Sequence, residues 1–170
     1  MRAYELLESA NFDIKVVKPQ QLTPEQFQQI HQLISAGGEI RPETLDAGIQ
    51  RAQALGIAIA DNKIVAVTAI KTPLESYRTG VFTKAGVPEL LNKYKFESGF
   101  SYTDPAYRSA GVSAALHRKL FQTWNEPLFA TVRTENRVAL LGLQRMGFTP
   151  IGNPWPSERG NYTITLLVNR

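Results

Sequence analysis

An arginine, a run of small residues, a glycine and an alanine-rich apolar stretch stand together in "YRSAGVSAAL", residues 107–116. These types at this spacing suit one kind of chemistry, the holding of an anion. A helix N-terminus exposes backbone N–H groups that have no partner within the helix, and it carries a partial positive charge. Many helices place Asp or Glu in that first turn, yet no acidic residue occurs between Gly111 and Glu126. Consecutive N–H groups of Ala110, Gly111, Val112, Ser113 and Ala114 can point at a phosphate. Gly111 lets the backbone approach closely, Arg108 adds a formal charge beside Ser109, and the Ser113 hydroxyl is a further donor. The same residues would also build an ordinary strand-to-helix turn. The bare helix mouth and the arginine favour a ligand.

Other chemistry-bearing residues are sparse. The chain has no cysteine, which excludes disulfides, thiol nucleophiles and thiolate metal sites. His31 and His117 lie on expected helices, with no second histidine or carboxylate at metal-ligand spacing, so both read as structural and no metal is expected. Ser157 lacks a nucleophile-elbow context. Lys84, Lys93 and Lys95 read as a solvated face. Asn136, like Thr134, suits a helix N-cap. Glu97 opens a strand-like stretch, where its bland reading is a surface charge at a sheet edge.

The elements that must position these groups follow from pattern. At 170 residues the chain is expected to form a single domain over 1–170, large enough to bury about 70% of its unfolded surface. A hydrophobic content of 43% and a charged content of 20% are ordinary for a soluble protein. The net charge of +4 reads as solubility. It permits a polyanionic ligand without making nucleic acid an expected partner. "MRAYELLESANF" lacks the apolar run of a signal peptide, and no apolar stretch reaches the roughly 18 residues of a membrane span, so the expected location is the cytoplasm. "FDIKVV" (12–17) reads as a strand. "LTPEQFQQIHQLISAGG" reads as a helix capped by Thr23, Pro24 and Gln26, and "RPETLDAGIQRAQALG" as a second helix ending at Gly56. "GIAIA" and "KIVAVTAIK" flank Asp61–Asn62 as a hairpin. Residues 72–95 are irregular, with a short helix expected over 87–95. "FESGFSYTD" (96–104) alternates as a strand, and 112–124 is a helix whose Val112, Leu116, Leu120 and Trp124 face the core. "PLFATVR" is a strand, "NRVALLGLQRMGF" a helix closed by Gly147, and "TPIG" and "YTITLLVN" the last strands around a loop "NPWPSERG". The order is that of a mixed α/β layer protein rather than an alternating doubly wound one.

Arg108, Gly111 and Ser113 resemble the pyrophosphate loop of the GNAT superfamily of acyl-CoA-dependent N-acetyltransferases: Arg or Gln, two residues, Gly, one residue, Gly or Ala. The context is similar as well. A strand ends in "TDP", with Tyr107 before the arginine. A later strand leads into Asn136, Ala139 and "MGF" (146–148), where Asn136 and Gly147 are eleven positions apart, as in the family's second signature. The likeness is specific over 96–151. It implies a central, mostly antiparallel twisted sheet splayed at the cofactor site and flanked by about four helices.

It also implies acetyl-CoA, or another acyl-CoA, as co-substrate. On this resemblance Arg108 to Ala114 hold the pyrophosphate, Asn136 contacts the pantetheine arm, and backbone N–H groups around Tyr102 or Thr103 polarise the thioester. Glu97 takes a proton from the incoming ammonium. One departure stands out. Where the family often has a tyrosine that protonates the leaving thiolate, this chain has Leu143. The implied activity is acetyl transfer to a primary amine by direct attack. The alternative is a catalytically silent acyl-CoA-binding or partner-binding module on the same fold. Small-molecule and protein amines both remain open as acceptor, near Glu39, Arg41, Glu43 and Asp46 or Trp155, Ser157, Glu158 and Arg159. A homodimer is compatible with the resemblance.

Overall fold

The computed structural model describes residues 11–170, so most of the "MRAYELLESANF" stretch lies outside the described residues. The elements run β1 (Asp13–Val17), α1 (Pro24–Ala36), α2 (Pro42–Arg51), β2 (Ala54–Ala60), β3 (Lys63–Lys71), α3 (Glu75–Lys84), β4 (Phe96–Thr103), α4 (Val112–Gln122), β5 (Leu128–Arg133), α5 (Arg137–Arg145), β6 (Phe148–Pro156) and β7 (Thr163–Asn169). The strand order is β1-β2-β3-β4-β5-β7-β6. The ladders β1–β2, β2–β3, β5–β7 and β6–β7 are antiparallel. That between β4 and β5 is parallel and covers only Phe96↔Leu128 and Glu97↔Phe129. This is the expected mixed, mostly antiparallel α/β architecture, with five helices rather than about four among the described residues. None of those helices is long and apolar enough to cross a membrane.

Two compact units divide the chain. One runs to Lys71 and adds Phe100–Asn125; the other comprises Thr72–Gly99 and Glu126–Arg170.

In the first unit the local signals translate directly into structure. Thr23 Oγ1 accepts from the Gln26 backbone N–H at 3.1 Å, and Gln26 Oε1 accepts from the Thr23 N–H at 3.0 Å, which satisfies two end groups of α1 reciprocally. Ile30 and Ile34 are its buried stripe. Asp61 and Asn62 take φ values of 51° and 62°, as a two-residue turn joining right-twisted strands requires, and Ala60 pairs with Lys63. Ile30, Leu45, Ile49, Leu55, Ile57, Val67 and Phe100 form one core cluster. Ala58, Val65, Ala66, Val112 and Leu116 form another. Gly56 lets α4 come close: a Cβ there would meet Leu116 Cδ1 at 3.0 Å and Thr68 Cγ2 at 3.2 Å.

The second helix stops earlier than its pattern suggested. It ends at Arg51, Ala52 is extended, and the Gln53 N–H already donates to Ile70 O at 2.8 Å. Ala54, Leu55 and Gly56 belong to β2. A fully buried Leu55 contributes about 1.5–3 kcal/mol, which exceeds what helix propensity offers over three residues.

The second unit departs further from expectation. The helix of residues 72–95 is α3, over Glu75–Lys84, and the 87–95 stretch supplies only a 3-10 turn at Pro88–Leu90. Its buried residues, Val81 and Phe82, are adjacent, so no 3–4 period announces it. Phe82 meets Phe129 edge-on at 5.3 Å and stacks on Tyr94 at 6.0 Å. Residues expected as a loop extend β6 to Pro156, with a register shift between Ile151 and Trp155 and Gly152 at φ 68°. Burial of Trp155 opposite Ile164 draws this segment into the sheet.

Candidate functional site

The loop expected to hold an anion, residues 108–114, lies entirely within the first unit. β4 ends at Thr103. Asp104 then anchors the exit, its N–H donating to Val65 O at 2.8 Å and its Oδ1 accepting from the Ala106 N–H at 2.9 Å. Pro105–Tyr107 form one 3-10 turn, and the Tyr107 hydroxyl donates to Asp61 Oδ2 at 3.0 Å. Arg108 Nε donates to Thr103 O at 3.1 Å, and its guanidinium lies 5.3 Å from the centroid of the half-buried Tyr102 ring. These interactions hold an exposed charge beside the loop. Ser109 and Gly111 have φ of 67° and 76°. Such a conformation costs a non-glycine residue of order 1 kcal/mol, so the turn at Ser109 is specified by its surroundings. Gly111 is the N-cap of α4, with no acidic residue in the first turn. Ser113 and Ala114 are exposed, whereas the Val112 side chain is buried.

Glu97 and Asn136 belong to the second unit. Glu97 is not a surface charge: it is 3% exposed. Its Oε1 accepts from the Tyr77 hydroxyl at 3.0 Å and from Thr131 Oγ1 at 3.3 Å. Burying a carboxylate costs several kcal/mol, and charge-assisted hydrogen bonds of about 1.5–3 kcal/mol each offset it. Desolvation, then the Glu97 charge, raises the Tyr77 phenol well above its usual 10.0. The Tyr77 residue is 43% exposed, so it is the hydroxyl end that shares the buried position of the carboxylate. Tyr77 therefore stays protonated and donating at any physiological pH. Sequence reasoning missed both partners. Tyr77 sits on the unannounced helix α3, and Thr131 is an unremarked polar residue on β5.

Asn136 is the N-cap of α5, its Oδ1 accepting from the Ala139 N–H at 3.1 Å, which leaves its amide N–H groups and one Oδ1 lone pair for another role. Thr134 instead bonds Thr165 and Thr163 at 2.8 and 2.7 Å. Leu143 is buried on α5. His31 pairs with Asp46 at 2.5 Å. Of the residues expected near an acceptor, Trp155 is core and Glu158 is bridged by Lys84 at 2.7 Å. Tyr102, Thr103 and Arg108–Ala114 thus come together in one unit, and Glu97 and Asn136 lie in the other, with β4 carrying residues of both.

No protein-family model matches this sequence, and no curated protein matches it. Solved structures do match. Escherichia coli ElaA superposes with a TM-score of 0.69 at 13% identity, covering 94% of this chain and 100% of its own. An acyl-CoA N-acyltransferase from Pseudomonas aeruginosa has a TM-score of 0.69 at 12% identity, covering 94% and 100%. The ribosomal-protein-S18-alanine N-acetyltransferase of Escherichia coli has a TM-score of 0.62 at 14% identity, covering 92% and 93%.

Proposed function

We propose that this chain, which carries the fold of GNAT N-acetyltransferases, transfers an acetyl group from acetyl-CoA to a primary amine. The observation that carries the reading is the loop. A left-handed Gly111 opens a helix with no acid in its first turn, and Arg108 is held alongside. This donor set fits a pyrophosphate: backbone N–H groups and a helix dipole supply fixed partial charge, and the guanidinium a full one. Acetyl-CoA bound there supplies the activated acyl group. Backbone N–H groups at Tyr102 and Thr103 are assigned to the thioester carbonyl, and the Asn136 amide to the pantetheine arm.

The second requirement is a base. An alkylamine with a pKa of about 10.4 is protonated at neutral pH and must lose a proton before it can attack. Glu97 is assigned that proton, with Tyr77 and Thr131 holding its carboxylate in place. The two proton transfers differ in weight. General-base catalysis contributes about 10²–10⁴-fold, whereas a thiol of pKa about 8.5 leaves tolerably as thiolate. Leu143 in place of a tyrosine therefore lowers efficiency less than loss of Glu97. That buried leucine is also the one observation favouring a silent acyl-CoA-binding module. Release of free thiol from acetyl-CoA across a panel of amines separates the two readings.

The loop assignment is tested by heat. A ligand at a hundred times its Kd stabilises the folded state by about 2.7 kcal/mol. Acetyl-CoA raises the Tm of the native chain, and Gly111→Asp, which sets a carboxylate against the phosphates, abolishes the rise while circular dichroism stays native. Undiminished protection in that variant would place the cofactor elsewhere.

A further inference from the structure

We propose that Ser101 is an acyl-accepting nucleophile with His117 as its base. It would take the acyl group from acyl-CoA when no amine is present and hand it to water, making the protein a slow acyl-CoA hydrolase. The proposal rests on reading the 108–114 loop as an acyl-CoA site. Its own support is a cluster of side chains that direct attack by an amine does not use, all within the first unit.

Ser101 lies exposed on β4, next to the Tyr102 and Thr103 N–H groups assigned to the thioester. Its Oγ is 3.1 Å from His117 Nε2 and 2.8 Å from Thr68 Oγ1, and Thr68 Oγ1 is itself 3.1 Å from Nε2. The other ring nitrogen, Nδ1, is 2.8 Å from the Ser113 carbonyl oxygen. A carbonyl only accepts, so Nδ1 carries the proton and Nε2 presents a lone pair. Thr68 is fully buried. Both hydroxyls lie 3.1 Å from Nε2, and in the arrangement where Thr68 donates to Ser101 and Ser101 donates to Nε2 both hydroxyl protons are used and Ser101 Oγ is the activated oxygen. Phe121 meets the imidazole edge-on at 5.7 Å, which fixes the ring plane. Nucleophile, base and orienting acceptor are thus in hydrogen-bond reach of one another, the arrangement that activates a hydroxyl. Burial holds His117 below its ordinary 6.5, so the ring is a neutral acceptor at neutral pH.

The chemistry balances. Ser101 Oγ bonds to the thioester carbon as its proton passes to Nε2. The carbon–sulfur bond breaks, and that proton goes to the departing sulfur, leaving free coenzyme A and acyl-Ser101. A water molecule loses a proton to Nε2 and adds to the ester. The ester bond breaks, Oγ regains the proton, and a carboxylic acid leaves.

The test is incubation with acetyl-CoA and no amine, followed by free-thiol assay and peptide mass mapping. The expected result is thiol release with one acetyl group on Ser101. Ser101→Ala loses both while acetyl-CoA still raises its Tm; Ser101→Cys keeps the modification, as a thioester. Thiol release undiminished in Ser101→Ala, or wild-type protein quenched with no acetyl on Ser101, overturns the proposal. p-Nitrophenyl acetate, which does not need the loop, separates the two readings. Labelling of Ser101 by that ester, in a protein that acetyl-CoA neither protects nor acylates, sinks the loop assignment and leaves the nucleophile standing.

Discussion

The loop at residues 108–114 and the carboxylate at Glu97 present charge in opposite ways. The loop is exposed backbone: its donors belong to consecutive peptide groups, set by a turn with Ser109 and Gly111 in the left-handed region. Glu97 is one buried side chain whose Oε1 is met by hydroxyls from α3 and β5. The first arrangement can be encoded in a few contiguous residues because its donors are the peptide groups themselves. The second requires three segments separated by 20 and 34 positions in sequence, so no local pattern carries it. Exposure also decides what each can do. Donors in water bind an anion chiefly by number and geometry, whereas a carboxylate removed from water depends on the groups that replace its hydration.

That contrast orders the expected effects of breaking each region. The largest is on turnover. Glu97→Gln keeps the shape and an acceptor oxygen for Tyr77 and Thr131 but removes the base. It is expected to lower kcat by about 100-fold at neutral pH and leave protection by acetyl-CoA intact. A fall as large at high pH, where the amine is already neutral, would mark a structural role instead. Arg108→Ala should act on binding alone. Removing the guanidinium deprives the phosphate of one exposed charge-assisted hydrogen bond, which raises the Kd for acetyl-CoA about tenfold. The effect is larger at low salt than at high, and kcat at saturation is unchanged; titration at two ionic strengths reads both.

Tyr77→Phe asks whether the carboxylate needs its partners. It removes one donor to Glu97 without changing the ring. The expectation is a kcat a few-fold lower with the Kd for acetyl-CoA unchanged, because the carboxylate is held in place by one hydrogen bond fewer. An unchanged kcat would show that Tyr77 only packs. The smallest effect concerns His117, on the buried face of the loop's helix. Its pKa is lowered by burial from 6.5, so the unfolded chain takes up the proton first as pH falls. Stability is full above 6.5 and declines from there toward the lower folded value, at up to about 1.4 kcal/mol per pH unit for one proton. His117→Gln should flatten that slope in Tm measurements, whatever it does to the plateau; an equally steep slope would assign the acid sensitivity to other groups.

Much of the first unit was legible in the chain. Thr23, Pro24 and Gln26 mark a helix start whose hydrogen bonds are local, and Asp61–Asn62 mark a turn whose φ values are local too. The second unit was less legible. α3 shows no apolar period, and β6 continues through "NPWP" because Trp155 finds Ile164 across the ladder. The site divides along the same line. Arg108, Gly111, Ser113 and Asn136 sit in short motifs and could be named as candidates from the sequence, and Glu97 through the resemblance those motifs carry. That Glu97 is buried, that Tyr77 and Thr131 hold it, and that His117 joins Ser101 and Thr68 could not.

What the sequence by itself determined is what the backbone does over a few residues: a bare helix mouth after a left-handed glycine, a capped helix, a hairpin turn. These depend on steric limits and hydrogen bonds within one turn of chain. Only the tertiary structure decided which polar side chains lose their water and what replaces it. Desolvation and its compensation are set by neighbours from distant segments, so Glu97 becomes a candidate base and His117 a candidate partner for serine only once α3, β3, β4, α4 and β5 have packed.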